Sequence, residues 1–263
     1  MNCRHRQNDG TLYPVFEPGL AFVVETLKQI RASNQRQPAV SRATLLQLID
    51  ARIAQAAGDR VARLAVLQDR VSHCTKCPHL ARSRTQTVFG VGNPRAELMF
   101  VGEAPGAEED LRGEPFVGRA GKLLTRIIET MGFARDDVYI ANVLKCRPDM
   151  PEGSSGNRPP TPEEMNTCLG YLLEQINVIK PRVLVALGAT AVEGLLGKRS
   201  TMREVRGRWH EFNHTPLMIT YHPSYLLRNQ TLSEKRKVWE DMLAVLEKLE
   251  RPITEKQRAY FLG

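Results

Sequence analysis

Beyond residue 97 the chain is punctuated by four short apolar runs: Leu98 to Val101 closed by Gly102, Val138 to Val143, Val183 to Leu187 closed by Gly188, and Leu217 to Tyr221. Runs of this length between turn signals read as buried strands. Between them the apolar positions change to helical spacing. Leu123, Leu124, Ile127 and Ile128 follow Gly118, a second helix opens at Thr161-Pro162-Glu163-Glu164, a third begins near Ala189, and a last one runs from Ser233 to Leu249. Proline in the first turn and acids beside the positive end of the helix dipole suit the start at Thr161. Strand alternating with helix predicts an α/β fold whose parallel sheet is covered on both faces.

Residues 1–70 have a different character. Helical spacing in Leu20-Ala21, Val24, Leu27 and Ile30, and again in Leu45-Leu46, Leu48-Ile49 and Ile53, frames a linker-like stretch from Gln35 to Pro38. Ser41 with Thr44 suits a helix cap. The expected organisation is a helical or partly disordered extension over 1–70, one domain over 71–250 and a tail over 251–263.

With 263 residues, 42% of them hydrophobic, the chain is long enough for a full core. A formal charge of +8 and a pI near 9.4 favour an anionic partner, nucleic acid first. The apolar runs are far short of a membrane span, and the polar start MNCRHRQNDG lacks the apolar region of a secretory signal. A cytoplasmic protein without membrane contact is expected.

The chemistry concentrates where strands end. The stretch from Gly102 to Gly121 carries Glu103, Glu108, Glu109, Asp110 and Phe116 in a glycine-rich loop, and it is not a phosphate-binding P-loop because Leu123 stands where Ser or Thr would hold magnesium. Asn142 interrupts the apolar run YIANVLKC, and His222 follows Tyr221. Glu103, Asn142 and His222 therefore lie at the carboxyl ends of expected strands, where open α/β sheets bind ligands.

Cys74-Thr-Lys-Cys77 is a C-x2-C pair, and Cys146 and Cys168 follow singly. In a cytosolic protein this pattern points to a metal site closed by tertiary structure, and four thiolates suit zinc or an iron-sulfur cluster equally. Pro78 leans toward iron-sulfur. His73 and His79 flank the pair and could replace a cysteine at a zinc site, but with four cysteines available they are read as surface residues, and Cys3 is left over.

The segments GEAPGAEED, PFVGRAGKLL, YIANVLKCRP, NRPPTPEE, VRGRWHEF and HPSYLLR, together with the four cysteines, run in one order from Ser72 to Leu249. In them the chain resembles the family 4 uracil-DNA glycosylases. That resemblance implies a three-layer α/β/α fold with a central four-stranded parallel sheet, here with the N-terminal helical extension added. It further implies a 4Fe-4S cluster on Cys74, Cys77, Cys146 and Cys168, and hydrolysis of the N-glycosidic bond of uracil in DNA, which releases free uracil and leaves an abasic site. The uracil pocket is implied at Gly102, Glu103, Ala104, Phe116, Asn142 and His222.

In that light Phe116 stacks on an extruded base, Asn142 reads its Watson-Crick edge and His222 donates to O2. Glu103 orients or activates the water, with Glu109 a second candidate. Ser224 to Arg228 resembles a wedge loop in which Leu226 or Leu227, beside Arg228, fills the gap left in the stack. The enzyme is expected to work as a monomer. No histidine lies between Cys146 and Cys168, so ordinary turnover is expected instead of covalent trapping of DNA. The competing readings are a glycosylase for other deaminated bases such as hypoxanthine, and a non-enzymatic nucleic-acid-binding protein with a structural zinc site.

Overall fold

The computed structural model describes residues 59–262 apart from 152, 153 and 155. The helices expected near residues 20–30 and 45–53, and Cys3, lie outside the described residues. In chain order the elements are α1 (59–72), α2 (Pro78–Ser83), β1 (Val91–Gly92), β2 (Leu98–Gly102), α3 (Ala107–Arg112), α4 (Arg119–Thr130) and β3 (Tyr139–Asn142). Then come α5 (Pro162–Ile179), β4 (Val183–Leu187), α6 (Ala189–Leu196), α7 (Met202–Val205), β5 (Trp209–Phe212), β6 (Thr215–Thr220), α8 (Pro223–Arg228), α9 (Leu232–Lys248) and α10 (Glu255–Ala259).

Among the described residues the sheet has six strands in the order β1-β3-β2-β4-β6-β5. Its central four are parallel, as expected, and two short antiparallel strands, β1 and β5, extend the edges. Along β2 the side chains alternate between two cores. Leu98 and Phe100 pack with Leu124 and Ile128 of α4 and Trp239 and Leu246 of α9, whereas Met99 and Val101 pack with Leu172 and Ile176 of α5. Because both faces are covered, β2 and β4 are buried at every position and read as continuous apolar runs.

The boundary expected at residue 70 falls inside α1, whose Leu64, Leu67 and Val71 join the core on the α5 side. The stretch beyond 250 is likewise folded back: Trp239 Nε1 donates to the carbonyl of Gln257, and Gln257 Nε2 donates to that of Thr130. Helix α5 starts as its sequence foretells. The Thr161 hydroxyl accepts from the Glu164 amide at 3.2 Å, and the Glu164 carboxylate accepts in return from the Thr161 amide at 2.7 Å.

Candidate active site

From β2 the sheet grows one way through β3 and the other way through β4 and β6, so the strand order reverses between β2 and β4. Open α/β sheets part their loops at such a point and leave a crevice beyond the carboxyl ends. A cleft of about 590 Å³ lies here, walled by Glu103 after β2, Asn142 at the end of β3, Gly188 after β4, His222 after β6, and Phe116. The three polar residues expected to converge do converge.

Gly102 and Asn142 are partners in the parallel β2–β3 register. A Cβ on Gly102 would collide with Asn142 Oδ1 and come within 2.5 Å of Phe116 Cζ, so the pocket floor exists only because this residue is glycine. Asn142 is 2% exposed, and its Oδ1 has no hydrogen-bond partner among the described residues. A buried carbonyl oxygen without a donor is costly, and its position at the pocket floor fits a ligand N–H.

Phe116 is buried and adopts φ +55°, a left-handed conformation that costs a bulky residue strain. Its surroundings hold it there. Gly121 lets the Phe116 carbonyl lie against α4, where a Cβ would overlap it. Glu109 accepts from the amides of Val117 and Gly118 at 3.0 and 2.9 Å and from that of Gly106 at 3.1 Å. The loop expected between β2 and α4 thus contains a short helix, α3, and Glu109 on it fastens both ends of the segment. Asp110, also on α3, is buried and accepts from the Thr85 amide.

Glu103 has no such role. Burial pushes its carboxyl above the ordinary glutamate value, and the nearby Thr190 side chain draws it partly back. His222 is the N-cap of α8, where its Nδ1 accepts from the Ser224 amide at 3.1 Å and lies 2.8 Å from the Ser224 hydroxyl. A backbone amide can only donate, so Nδ1 is bare of hydrogen and the neutral ring carries its proton on Nε2. Burial lowers the His222 pKa to about 4, with Arg228 adding to the effect and Glu109 opposing it. At neutral pH the ring is an uncharged donor.

Two residues in the cleft carry no signal of their own in the sequence. Asn157 and Arg158 line it from the loop between Cys146 and α5. Arg158 also binds Glu164 at 2.7 Å and Asp149, which fixes that loop to the start of α5 and holds the Glu164 carboxyl down at about 2 against its burial. Their segment, NRPPTPEE, stands out as a motif but has the look of a helix lead-in.

The expected wedge is corrected in part. Leu226 is 5% exposed and packs beside α4 and α9 with Val238 and Trp239, because its side of α8 faces the core. Leu227 is half-buried and lines the same groove as Leu226, whereas Arg228 is exposed and lines the cleft. Leu226 is therefore a packing residue.

Cys74, Cys77, Cys146 and Cys168 line one small cavity together with Leu144 and Tyr171. Arg84 Nη1 donates to Cys146 Sγ at 3.0 Å, and the Lys145 amide donates to Cys168 Sγ at 3.3 Å. Four thiols from three separate segments, furnished with N–H donors, are a chemically suitable donor set for a thiolate-bound metal centre. His73 bonds Asp69 and Ser72, and His79 bonds Glu164; both are exposed and neither lines the cavity of the four cysteines. Lys145 itself is 1% exposed, its amine donating to the carbonyl of Asn142 at 2.8 Å and to Gln175 at 2.6 Å.

Comparison with known proteins agrees with this geometry. Residues 89–243 match the family model of the uracil DNA glycosylase superfamily. The type-4 uracil-DNA glycosylase of Thermotoga maritima is 48% identical over 181 residues, which is 68% of this chain and 91% of that protein. The type-4 enzymes of Archaeoglobus fulgidus and Pyrobaculum aerophilum are 43% and 42% identical over 173 and 177 residues, covering 63% and 64% of this chain and 83% and 87% of theirs.

Proposed function

This chain belongs to the uracil DNA glycosylase superfamily and excises uracil from DNA, and from that premise we propose how its residues carry out the reaction. A base inside a duplex is out of reach, so the nucleotide is extruded into the cleft. Phe116 supplies the stacking plane. Asn142 reads the edge: Oδ1 accepts from uracil N3–H and the amide donates to O4. The unpartnered Oδ1 is the single observation that carries this reading, because uracil offers a donor where cytosine offers an acceptor.

As the glycosidic bond breaks, negative charge grows on the departing base. His222 Nε2–H donates to O2 and stabilises that charge, and a neutral ring held by Ser224 is already in place for the task. Glu103, as carboxylate, orients the water that attacks the sugar and takes its proton. Glu109 acts by holding the Phe116 segment. Arg228 stands at the cleft mouth to meet a phosphate, and Leu227, the residue before it on α8, would leave the groove it shares with Leu226 to fill the vacated stack.

Cys74, Cys77, Cys146 and Cys168 would hold a 4Fe-4S cluster, whose contribution is structural, tying the C-x2-C segment to the end of β3 and to α5. The protein acts as a monomer. The deciding experiment is strand incision after treating uracil-, hypoxanthine- and thymine-containing oligonucleotides. Release from the uracil strand alone is expected, and faster release of hypoxanthine would reverse the assignment of Asn142.

A further inference from the structure

The segment VRGRWHEF places Arg206 behind β6, outside the cleft. Its guanidinium Nη1 donates to Asp241 Oδ1 and Oδ2 at 2.8 and 2.9 Å and to the carbonyl of Lys237 at 2.9 Å. Asp241 is 2% exposed and also accepts from the Thr220 hydroxyl at 2.6 Å. The guanidinium carbon lies 5.3 Å from the centroid of the Tyr221 ring, and Tyr221 stacks on Tyr225 of α8 at 4.3 Å. Tyr225 is fastened in turn by its hydroxyl to Glu234, which pairs with Lys237. Thr220 and Tyr221 are the two residues immediately before His222.

We propose that Arg206 is the positioning residue for His222, acting through Asp241 on Thr220 and through the Tyr221 ring on α8. The inference deepens the assignment of His222 as donor to uracil O2 and rests on it. The backbone on one side of His222 is locked by Thr220 to the Arg206–Asp241 pair. On the other side α8 is locked by Tyr225 stacked on a ring that Arg206 covers. The approach from β4 is equally tight, since a Cβ on Gly188 would lie 3.0 Å from His222 Cβ. Asp241, whose pKa burial already raises to about 6 against the pull of Thr220 and Arg206, loses that cation when the guanidinium is removed and takes up a proton, which loosens the pair and frees Tyr221 to move. His222 and α8 then shift together and water reaches the ring.

Two readouts separate positioning from general damage. Arg206→Met should slow single-turnover uracil excision, counted per active site, by about 10²-fold, the usual effect of misplacing a catalytic group by an ångström. Affinity for abasic product DNA should stay within a few-fold. In protein carrying 15N-histidine, the His222 signal is identified by its loss in His222→Gln. Its titration should move up from about 4 toward the ordinary 6.5 as the ring hydrates. The charges facing it are unaltered in the variant: Glu103 just after β2, Glu109 on α3, Arg158 from the loop before α5, and Arg228 on α8.

Arg206→Lys, which keeps a cation but not the fork, should recover part of the rate. A parent-like rate in Arg206→Met with an unmoved His222 titration would overturn the proposal. If that variant does not fold, Tyr221→Leu leaves the Arg206–Asp241 pair intact and removes only the ring; a slowed rate with a raised titration then supports the proposal, and parent-like values of both overturn it. A parent that excises no uracil would instead defeat the pocket assignment, while the histidine titration, which needs no turnover, would still judge the anchor.

Discussion

Gly102 and Asn142 sit opposite one another at the carboxyl ends of two parallel strands, and the missing side chain of the first is the space occupied by the amide of the second. Gly102→Ala should therefore act on chemistry more than on folding. Overpacking costs about 1–3 kcal/mol, and displacing the amide by an ångström costs about 10²-fold in rate. Thermal melting and single-turnover excision on the same preparation measure both, and a parent-like rate would show that the amide does not need that space.

Asn142→Asp keeps the shape and removes the donor to O4, while placing a carboxylate near the charge that forms on uracil. Uracil excision should fall steeply, each mismatched buried group costing roughly 1–3 kcal/mol. A faint activity on unpaired cytosine is expected, because its exocyclic amine can donate to the carboxylate. Comparing U·G, C·G and unpaired C substrates checks this, and undiminished uracil excision would place the reading of the base elsewhere.

The pH profile should show one acid limb, lying above the ordinary glutamate value. Glu103 has its pKa raised by burial, so as pH falls it takes up its proton earlier than a free glutamate would and loses its capacity as a base. His222, at about 4, remains neutral through that range. Glu103→Gln should abolish the limb and leave a slow, nearly flat rate. A limb that persists in the variant belongs to another group.

Purified with its metal, the protein should be brown and contain iron and sulfide. Cys168→Ala should lose iron and soluble yield before it loses activity per folded molecule, because as a ligand Cys168 would anchor the centre to α5, about two turns from that helix's start. Metal analysis decides it: zinc in a colourless protein would remove the cluster, and full iron in the variant would remove Cys168 from the ligands.

Leu226 and Leu227 should separate cleanly. Leu226→Ala empties a core position and should cost about 2–5 kcal/mol of stability. Leu227→Ala should leave melting nearly unchanged and slow excision from duplex more than from single strands, where no stack has to be filled. Equal slowing on both substrates would deny Leu227 the wedge role.

The central strands were legible because burial on both faces leaves an uninterrupted apolar run, as in VLVAL of β4. The edge strands were not. β1 is two residues long, and β5, reading Trp-His-Glu-Phe with only Phe212 buried, has almost no hydrophobic signature. Glu103, Asn142 and His222 were legible because polar residues stood at the ends of apolar runs. The tasks of Glu109 and Arg158 were hidden, since their partners are backbone amides and carboxylates distant or unmarked in sequence. Leu226 and Leu227 are adjacent and alike, and only the helix orientation tells them apart.

The loop between Met150 and Asn157 has a stitched neck. Arg147 Nη2 donates to the Gly156 carbonyl at 2.8 Å, and Arg158 Nε donates to the Asp149 carbonyl at 2.7 Å. Asn157, which lines the cleft, lies between the two bonded residues Gly156 and Arg158. A loop tied at its base tolerates added length, since each doubling costs only about 0.6 kcal/mol of closure entropy. Insertions accumulate most easily between two such ties, so a fluorophore or a short tag introduced there should leave the residues on either side in place.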